Sequence, residues 1–160
     1  MDYIKDNKAA WEEAFAHKRE GWGEENHTRL LRETLPFFCA DVAAELRSMD
    51  FCGKDVAQFC CNNGRELLSL MRLGAASGTG FDIAENIIAQ ANDTARKAGI
   101  HNCRFVARNI LDIDKGYDGR FDFILFTIGA ITWFEQLGPL FQKVSDCLKP
   151  GGMMLIHRCV

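Results

Sequence analysis

No apolar run in the 160 residues approaches the ~18 needed for a membrane-spanning helix, because charged side chains interrupt every hydrophobic stretch. The first residues, MDYIKDNKAAWEEAF, lack the basic end and apolar segment of a signal peptide. These absences make a soluble, cytoplasmic protein with no membrane partner the expectation. Charge of one sign is missing too. Lys and Arg number 19 against 22 Asp and Glu, a net charge of -3, so no global basic field argues for nucleic acid as a partner. The seven cysteines (Cys39, Cys52, Cys60, Cys61, Cys103, Cys147, Cys159) form no CxxC pair and no Cys/His cluster with four-ligand spacing. No metal site is expected, and free thiols packed in the core as small apolar residues fit the odd count. Neither an internal repeat nor a Pro/Ser-rich linker divides the sequence.

What is present suits one globular domain: 48% hydrophobic and 26% charged residues. Two halves of different character meet near Met49-Asp50, giving an expected N-terminal helical cap over residues 1–50 and a core over 51–160. The first half predicts a helix from Lys8 to Arg19 and a second beginning near Glu25, where Leu30, Leu31, Leu35, Phe38, Val42 and Leu46 recur at three- and four-residue steps. Gly21 and Gly23 separate them, and Pro36 should kink or restart the second. From Lys54 onward, apolar runs at Val56–Cys60, Ala76–Phe81, Arg104–Ala107, Phe121–Phe126 and Met153–Ile156 alternate with helical patterns at Glu66–Arg72, Ala84–Ala98 and Phe134–Leu148. That alternation predicts an α/β fold, with a parallel sheet buried on both faces. Gly99 should end the middle helix in a left-handed cap, and Lys149-Pro150-Gly151-Gly152 should turn the chain.

In such sheets ligands bind beyond the carboxyl ends of the strands. The first strand runs into Cys60-Cys61-Asn62-Asn63-Gly64, where Gly64 permits a sharp turn, and the second ends at Asp82. Asp82 lies eighteen positions after Gly64 (82 minus 64), near the ~20-residue offset at which an acidic side chain reaches a ribose hydroxyl. Asp82 also suits the N-cap of the helix that follows. Asn109 and Ile110, after the third strand, could bracket a purine. The glycines of G-x-G-x-x-G and the lysine of a P-loop are both absent, so the pattern favours an adenosyl ligand without a pyrophosphate.

Taken in order, these residues resemble the class I S-adenosylmethionine-dependent methyltransferases, over about Asp55 to Cys159. Val56 to Leu68 is similar to the family's glycine-rich first motif, and Gly78-Thr79-Gly80-Phe81-Asp82-Ile83-Ala84 to its acidic second motif. Phe121-Asp122-Phe123-Ile124 resembles the fourth strand, and Leu148-Lys149-Pro150-Gly151-Gly152 the turn before the fifth. Gln58 stands where the family usually has an acidic residue, and Cys60 and Asn62 where it usually has glycines. Glycine-poor first motifs similar to L-Q-C-x-x-G also occur in this superfamily.

The resemblance implies a Rossmann-like three-layer sandwich of five parallel strands in the order 3-2-1-4-5, and S-adenosylmethionine as cofactor with S-adenosylhomocysteine as product. It implies that Gln58, Cys60, Asn62 and Gly64 border the methionine part and that Asp82 holds the ribose. Ile83 and Ile110 would sandwich the adenine, Asn109 would touch its edge, and Thr127 and Ile128 would face the reactive methyl. Tyr3, Trp11 and Trp22 are candidate lid residues, with core packing as the alternative for the tryptophans.

The acceptor is expected to be a small molecule, since Thr127 to Phe134 is apolar and differs from the N-P-P-Y type. His157 is the one candidate base, and no histidine adjoins Cys60 or Cys61 in sequence. Besides methyl transfer, two readings stay open: a binding module of the same fold without turnover, and an NAD-dependent oxidoreductase. Members of the family usually continue into a sixth and an antiparallel seventh strand. The expectation is therefore a piece of a longer protein or, alternatively, a homodimer paired through the edge of the fifth strand.

Overall fold

The apolar runs of the second half become five parallel strands, ordered β3-β2-β1-β4-β5. They are β1 Asp55–Phe59, β2 Ser77–Asp82, β3 Cys103–Ala107, β4 Phe121–Phe126 and β5 Leu148–Ile156. The structure is a computed structural model describing residues 3–18, 22–127 and 129–157. Six helices accompany the sheet: α1 Tyr3–Ala16, α2 Asn26–Arg32, α3 Ala40–Ser48, α4 Arg65–Met71, α5 Glu85–Lys97 and α6 Leu137–Cys147.

The near-continuous hydrophobicity of β1 and β4 follows from burial on both faces. On one face Val56, Phe123 and Leu125 pack with Leu30 of α2, Leu46 of α3, Leu67 of α4 and Ile88 of α5. On the other, Ala57, Phe59, Ile124 and Phe126 pack with Leu140 and Val144 of α6 and with Ile110. The sheet is thus the middle of three layers, as expected. Among the described residues, no helix is long and apolar enough to cross a membrane.

Several boundaries differ from expectation. Helix α1 starts at Tyr3 rather than Lys8, because Tyr3, Asn7 and Trp11 recur every four residues on one face that continues upstream. The second helical stretch is two helices. Pro36 disfavours helical backbone in the residue before it, and Leu35 takes a left-handed φ of 56° while staying buried. Helix α6 begins at Leu137 rather than Phe134, since Ala130–Trp133 forms a 3-10 turn first. Gly99 adopts the left-handed conformation expected of it, with φ 68°.

The Lys149-Pro150-Gly151-Gly152 turn lies inside β5 rather than ahead of it. Leu148 pairs with Phe121 and Met153 with Phe123, so four residues of β5 stand opposite the single residue Asp122. This bulge swings Lys149 back beneath the sheet, where its Nζ donates to Asp122 Oδ2 at 2.7 Å and Asp55 Oδ2 at 2.9 Å. The thiols are also less uniformly buried than expected: Cys61 and Cys147 are in the core, but Cys39 and Cys52 are exposed, and Cys159 lies outside the described residues.

Candidate functional site

A cleft opens where the carboxyl ends of β1 to β4 meet the N-terminal helix. Its floor is Cys60 and Asn62 after β1, Asp82 and Ile83 at the end of β2, Arg108, Asn109 and Ile110 after β3, and Thr127 after β4. Tyr3, Ile4, Asn7 and Trp11 of α1 form one wall, and Ala130, Trp133 and Phe134 another.

The turn after β1 alternates in handedness. Cys60, Asn62 and Gly64 take φ values of 55°, 49° and 73°. Cys60 and Asn62 therefore hold the backbone that glycines would adopt without penalty; for a residue with a Cβ the left-handed region costs about 1–2 kcal/mol, and least for Asn. Gly64 itself is required twice over, because a Cβ there would lie 2.3 Å from the Phe105 ring. Gly64 is thus a packing position outside the cleft lining.

Asp82 ties this turn to β2. Its Oδ2 accepts from the Asn62 N–H at 2.8 Å and its Oδ1 from the Ala84 N–H at 3.2 Å. Burial pushes the carboxyl above the ordinary carboxylate range, while the amides of Asn62, Ala84 and Ile83 oppose the shift. Each oxygen keeps lone pairs for further donors, so a diol could donate one O–H to each. Ile83 and Ile110 line the same cleft with apolar side chains. Asn109 is already engaged: it caps the 3-10 turn Ile110–Asp112 by accepting from the Leu111 N–H at 3.3 Å, and its Nδ2 donates to Asp112 at 2.9 Å.

Gln58 lies behind the lining with no exposed surface; its Nε2 donates to Thr127 Oγ1 at 3.2 Å. Ile128 falls outside the described residues. His157 is placed away from the cleft. It is buried beside the Phe38 ring, 3.7 Å from Cys39 Sγ, and burial lowers its pKa against the opposing charge of Glu66. Cys60 and Cys61 are held as neutral thiols, since burial and then the Asp82 charge push both well up. Among the described residues no group of three or more potential metal ligands occurs.

Of the candidate lid residues, Tyr3 and Trp11 face the cleft, and Trp22 does not: its ring packs on Phe15 and its carbonyl accepts from Gln90 Nε2 at 3.0 Å. Helix α1 is fastened at both ends of the opening. Lys8 Nζ donates to Glu85 at 2.6 Å, Asn86 Nδ2 donates to the Glu12 carbonyl at 3.0 Å, and Trp11 meets Trp133 edge to face at 5.4 Å. Ile4, Asn7 and Arg108 line the cleft without having been singled out from sequence, whereas Ala130, Trp133 and Phe134 belong to the apolar segment after β4 on which the expectation of a small acceptor rested. For Asn7, the four-residue spacing from Tyr3 to Trp11 was the available signal.

Among the described residues, the lining combines the apolar Ile83 and Ile110 with the Asp82 carboxylate and contains no lysine. The strand order and the layers define a Rossmann-like domain. A methyltransferase domain model matches residues 56–152, more than half of the sequence; the chain belongs to the class I S-adenosylmethionine-dependent methyltransferases. It is similar to ribosomal protein L11 methyltransferase of Shewanella amazonensis, 38% identical over 52 residues, which are 32% of this chain and 18% of that protein. Among solved structures it resembles geranyl diphosphate C-methyltransferase of Streptomyces coelicolor, at 17% identity and a TM-score of 0.70, covering 98% of this chain and 64% of that one. It also resembles the YcgJ protein of Bacillus subtilis at 20% identity and a TM-score of 0.63, over 71% of this chain and 48% of that one. The chain thus spans about half to two thirds of the length of these two solved structures.

Proposed function

We propose that this chain carries the cofactor site, and part of the acceptor site, of a methyltransferase that uses S-adenosylmethionine to methylate a small molecule by in-line transfer. Asp82 is the observation that carries the reading. Its two oxygens accept from backbone amides of the turn after β1 and of the start of α5, and the lone pairs that remain support the reading because a ribose diol could donate to them.

In this reading Ile83 and Ile110 cover the two faces of the adenine, with Asn109 at its edge. Cys60, Asn62 and Gly64 shape the turn that borders the methionine part, with Gln58 behind it. Thr127 faces the acceptor end. Residues 1–50 act as a cap on the core of 51–160, with Tyr3 and Trp11 closing the opening.

The chemistry the cofactor supplies when bound is an electrophilic methyl group on a sulfonium. The protein's part is to hold a nucleophile in line with that group and to keep water out, which can lower the barrier by about 7–11 kcal/mol. Trp11, Trp133 and Phe134 exclude water on the β4 side. No general base is assigned, as His157 lies off the cleft.

Isothermal calorimetry with S-adenosylhomocysteine, NADH and ATP tests the proposal. Binding of the first and not of the other two is expected. NADH binding without S-adenosylhomocysteine binding would overturn it in favour of a nicotinamide enzyme.

A further inference from the structure

Gln58, on the central strand, is fully buried, and both ends of its amide are engaged. Oε1 accepts from the Leu67 N–H of α4 at 3.0 Å, and Nε2 donates to Thr127 Oγ1 at 3.2 Å. A backbone N–H can only donate, so the amide orientation is fixed: oxygen toward α4, nitrogen toward Thr127. Thr127 must therefore accept from Gln58, which leaves its own hydrogen free to donate elsewhere, and Thr127 lines the cleft. A carboxylate at position 58 would do the reverse. It would accept from Leu67 and from Thr127 alike, drawing the Thr127 hydrogen away and leaving lone pairs toward the cleft.

We infer that Gln58 sets the Thr127 hydroxyl as a hydrogen-bond donor at the acceptor end of the cleft, and that the molecule methylated there is an uncharged aromatic compound carrying an accepting oxygen or ring nitrogen. This rests on the function proposed above. The aromatic part follows from the rings that line the same cleft as Thr127: Tyr3, Trp11, Trp133 and Phe134. Trp11 and Trp133 already meet edge to face, and Trp133 remains 43% exposed, leaving ring surface for a flat ligand. The uncharged part follows from where charge sits. Among the described lining residues, the ionic side chains are Asp82 and Arg108, after β2 and β3, whereas β4 with Thr127 is separated from β2 by β1. A charged acceptor at Thr127 would give up hydration without a partner.

Gln58 is thus a positioning residue, acting through Thr127. Three probes of similar shape separate the possibilities: quinoline, whose ring nitrogen accepts; indole, whose N–H donates; and naphthalene, which does neither. Their affinities for the full chain, with and without S-adenosylhomocysteine, are measured by saturation-transfer NMR. Quinoline is expected to bind about fivefold tighter than the other two. Thr127→Val should erase that margin, and Gln58→Glu should reverse the order of quinoline and indole. If Gln58→Glu does not fold, Gln58→Met, which frees the hydroxyl to turn either way, should bring the two probes to near-equal affinity.

A quinoline margin that survives Thr127→Val overturns the inference. So does a Thr127→Val variant that loses affinity for S-adenosylhomocysteine and not for quinoline, since the hydroxyl then serves the cofactor. A chain that binds no S-adenosylhomocysteine defeats the proposed function, while the probe preferences measured without it still decide the role of Gln58.

Discussion

Asp82 carries two opposed influences, burial that favours its neutral form and three backbone amides that favour its charge. Ribose hydroxyls would donate to the ionised form, so Asp82→Ala should weaken S-adenosylhomocysteine binding by about tenfold or more, because two charge-assisted bonds are lost. The raised pKa gives a second expectation. Affinity should begin to fall on acidification before an ordinary carboxylate would protonate. Calorimetry across pH reads this directly, and a flat profile down to the ordinary carboxylate range would count against the ribose role. The alternation at Cys60, Asn62 and Gly64 supplies another prediction. Cys60→Gly should leave stability unchanged or raise it by up to about 1 kcal/mol, while Asn62→Ala should lower it by about 1 kcal/mol, as judged by urea midpoints. The sequence displayed the missing glycines but could not display φ. That the backbone keeps a glycine-like path through Cys60 and Asn62 depends on anchors distant in sequence, including the hydrogen bonds from Cys61 to Phe81 and from Asn62 to Asp82.

At the scale of elements, α1 has no buried residue along its length and is held by polar ties and two aromatic pairs, Trp11 with Trp133 and Phe15 with Trp22. It should open locally at little cost. Hydrogen exchange in α1 is expected to be faster than in α4, whose last six residues are all buried, and to slow when S-adenosylhomocysteine is added. Identical α1 exchange with and without the ligand would remove the lid role. The bulge in β5 has a different task. Lys149 raises no barrier to solvent, but it holds the Asp55 and Asp122 carboxyls down. For Asp55 the causes are Ser77 and then Lys149; for Asp122, burial pushes upward and is outweighed by Lys149 and the Asp55 amide. A lowered folded pKa stabilises above the unfolded value and is lost as pH falls through the folded one. Lys149→Met should therefore cost about 1 kcal/mol near neutral pH, given the partial exposure of the trio, and should flatten the stability loss on acidification. Strand positions were legible because a parallel sheet buried on both faces leaves short, nearly unbroken apolar runs. The break at Leu35 and the placement of Lys149 were not, since each depends on a partner far along the chain.

For the molecule as a whole, the order of strands puts β1 at the centre, between β2 and β4. Amides of β1 and β4 should exchange most slowly, and those of the edge strands β3 and β5 sooner; equal protection across the five would mean the sheet opens as one unit. The layered architecture was readable from the period of the sequence, whereas the identity of the cleft's roof was not. Trp133 and Phe134 follow a strand, Tyr3 and Trp11 begin the chain, and only the closed sheet brings them opposite each other.

That same order constrains how the chain can assemble as it leaves the ribosome. Val56 finds its β2 partner, Gly78, 22 positions later (78 minus 56), but its β4 partner, Phe123, only after 67 (123 minus 56). No two successive strands form a hairpin, so every pairing closes a long loop. One flank of β1 can close over α4 while the other must wait, unpaired and apolar, until most of the sequence has emerged. Synthesis paused between Cys103 and Phe121 would leave that flank open, which makes this interval the expected point of chaperone engagement.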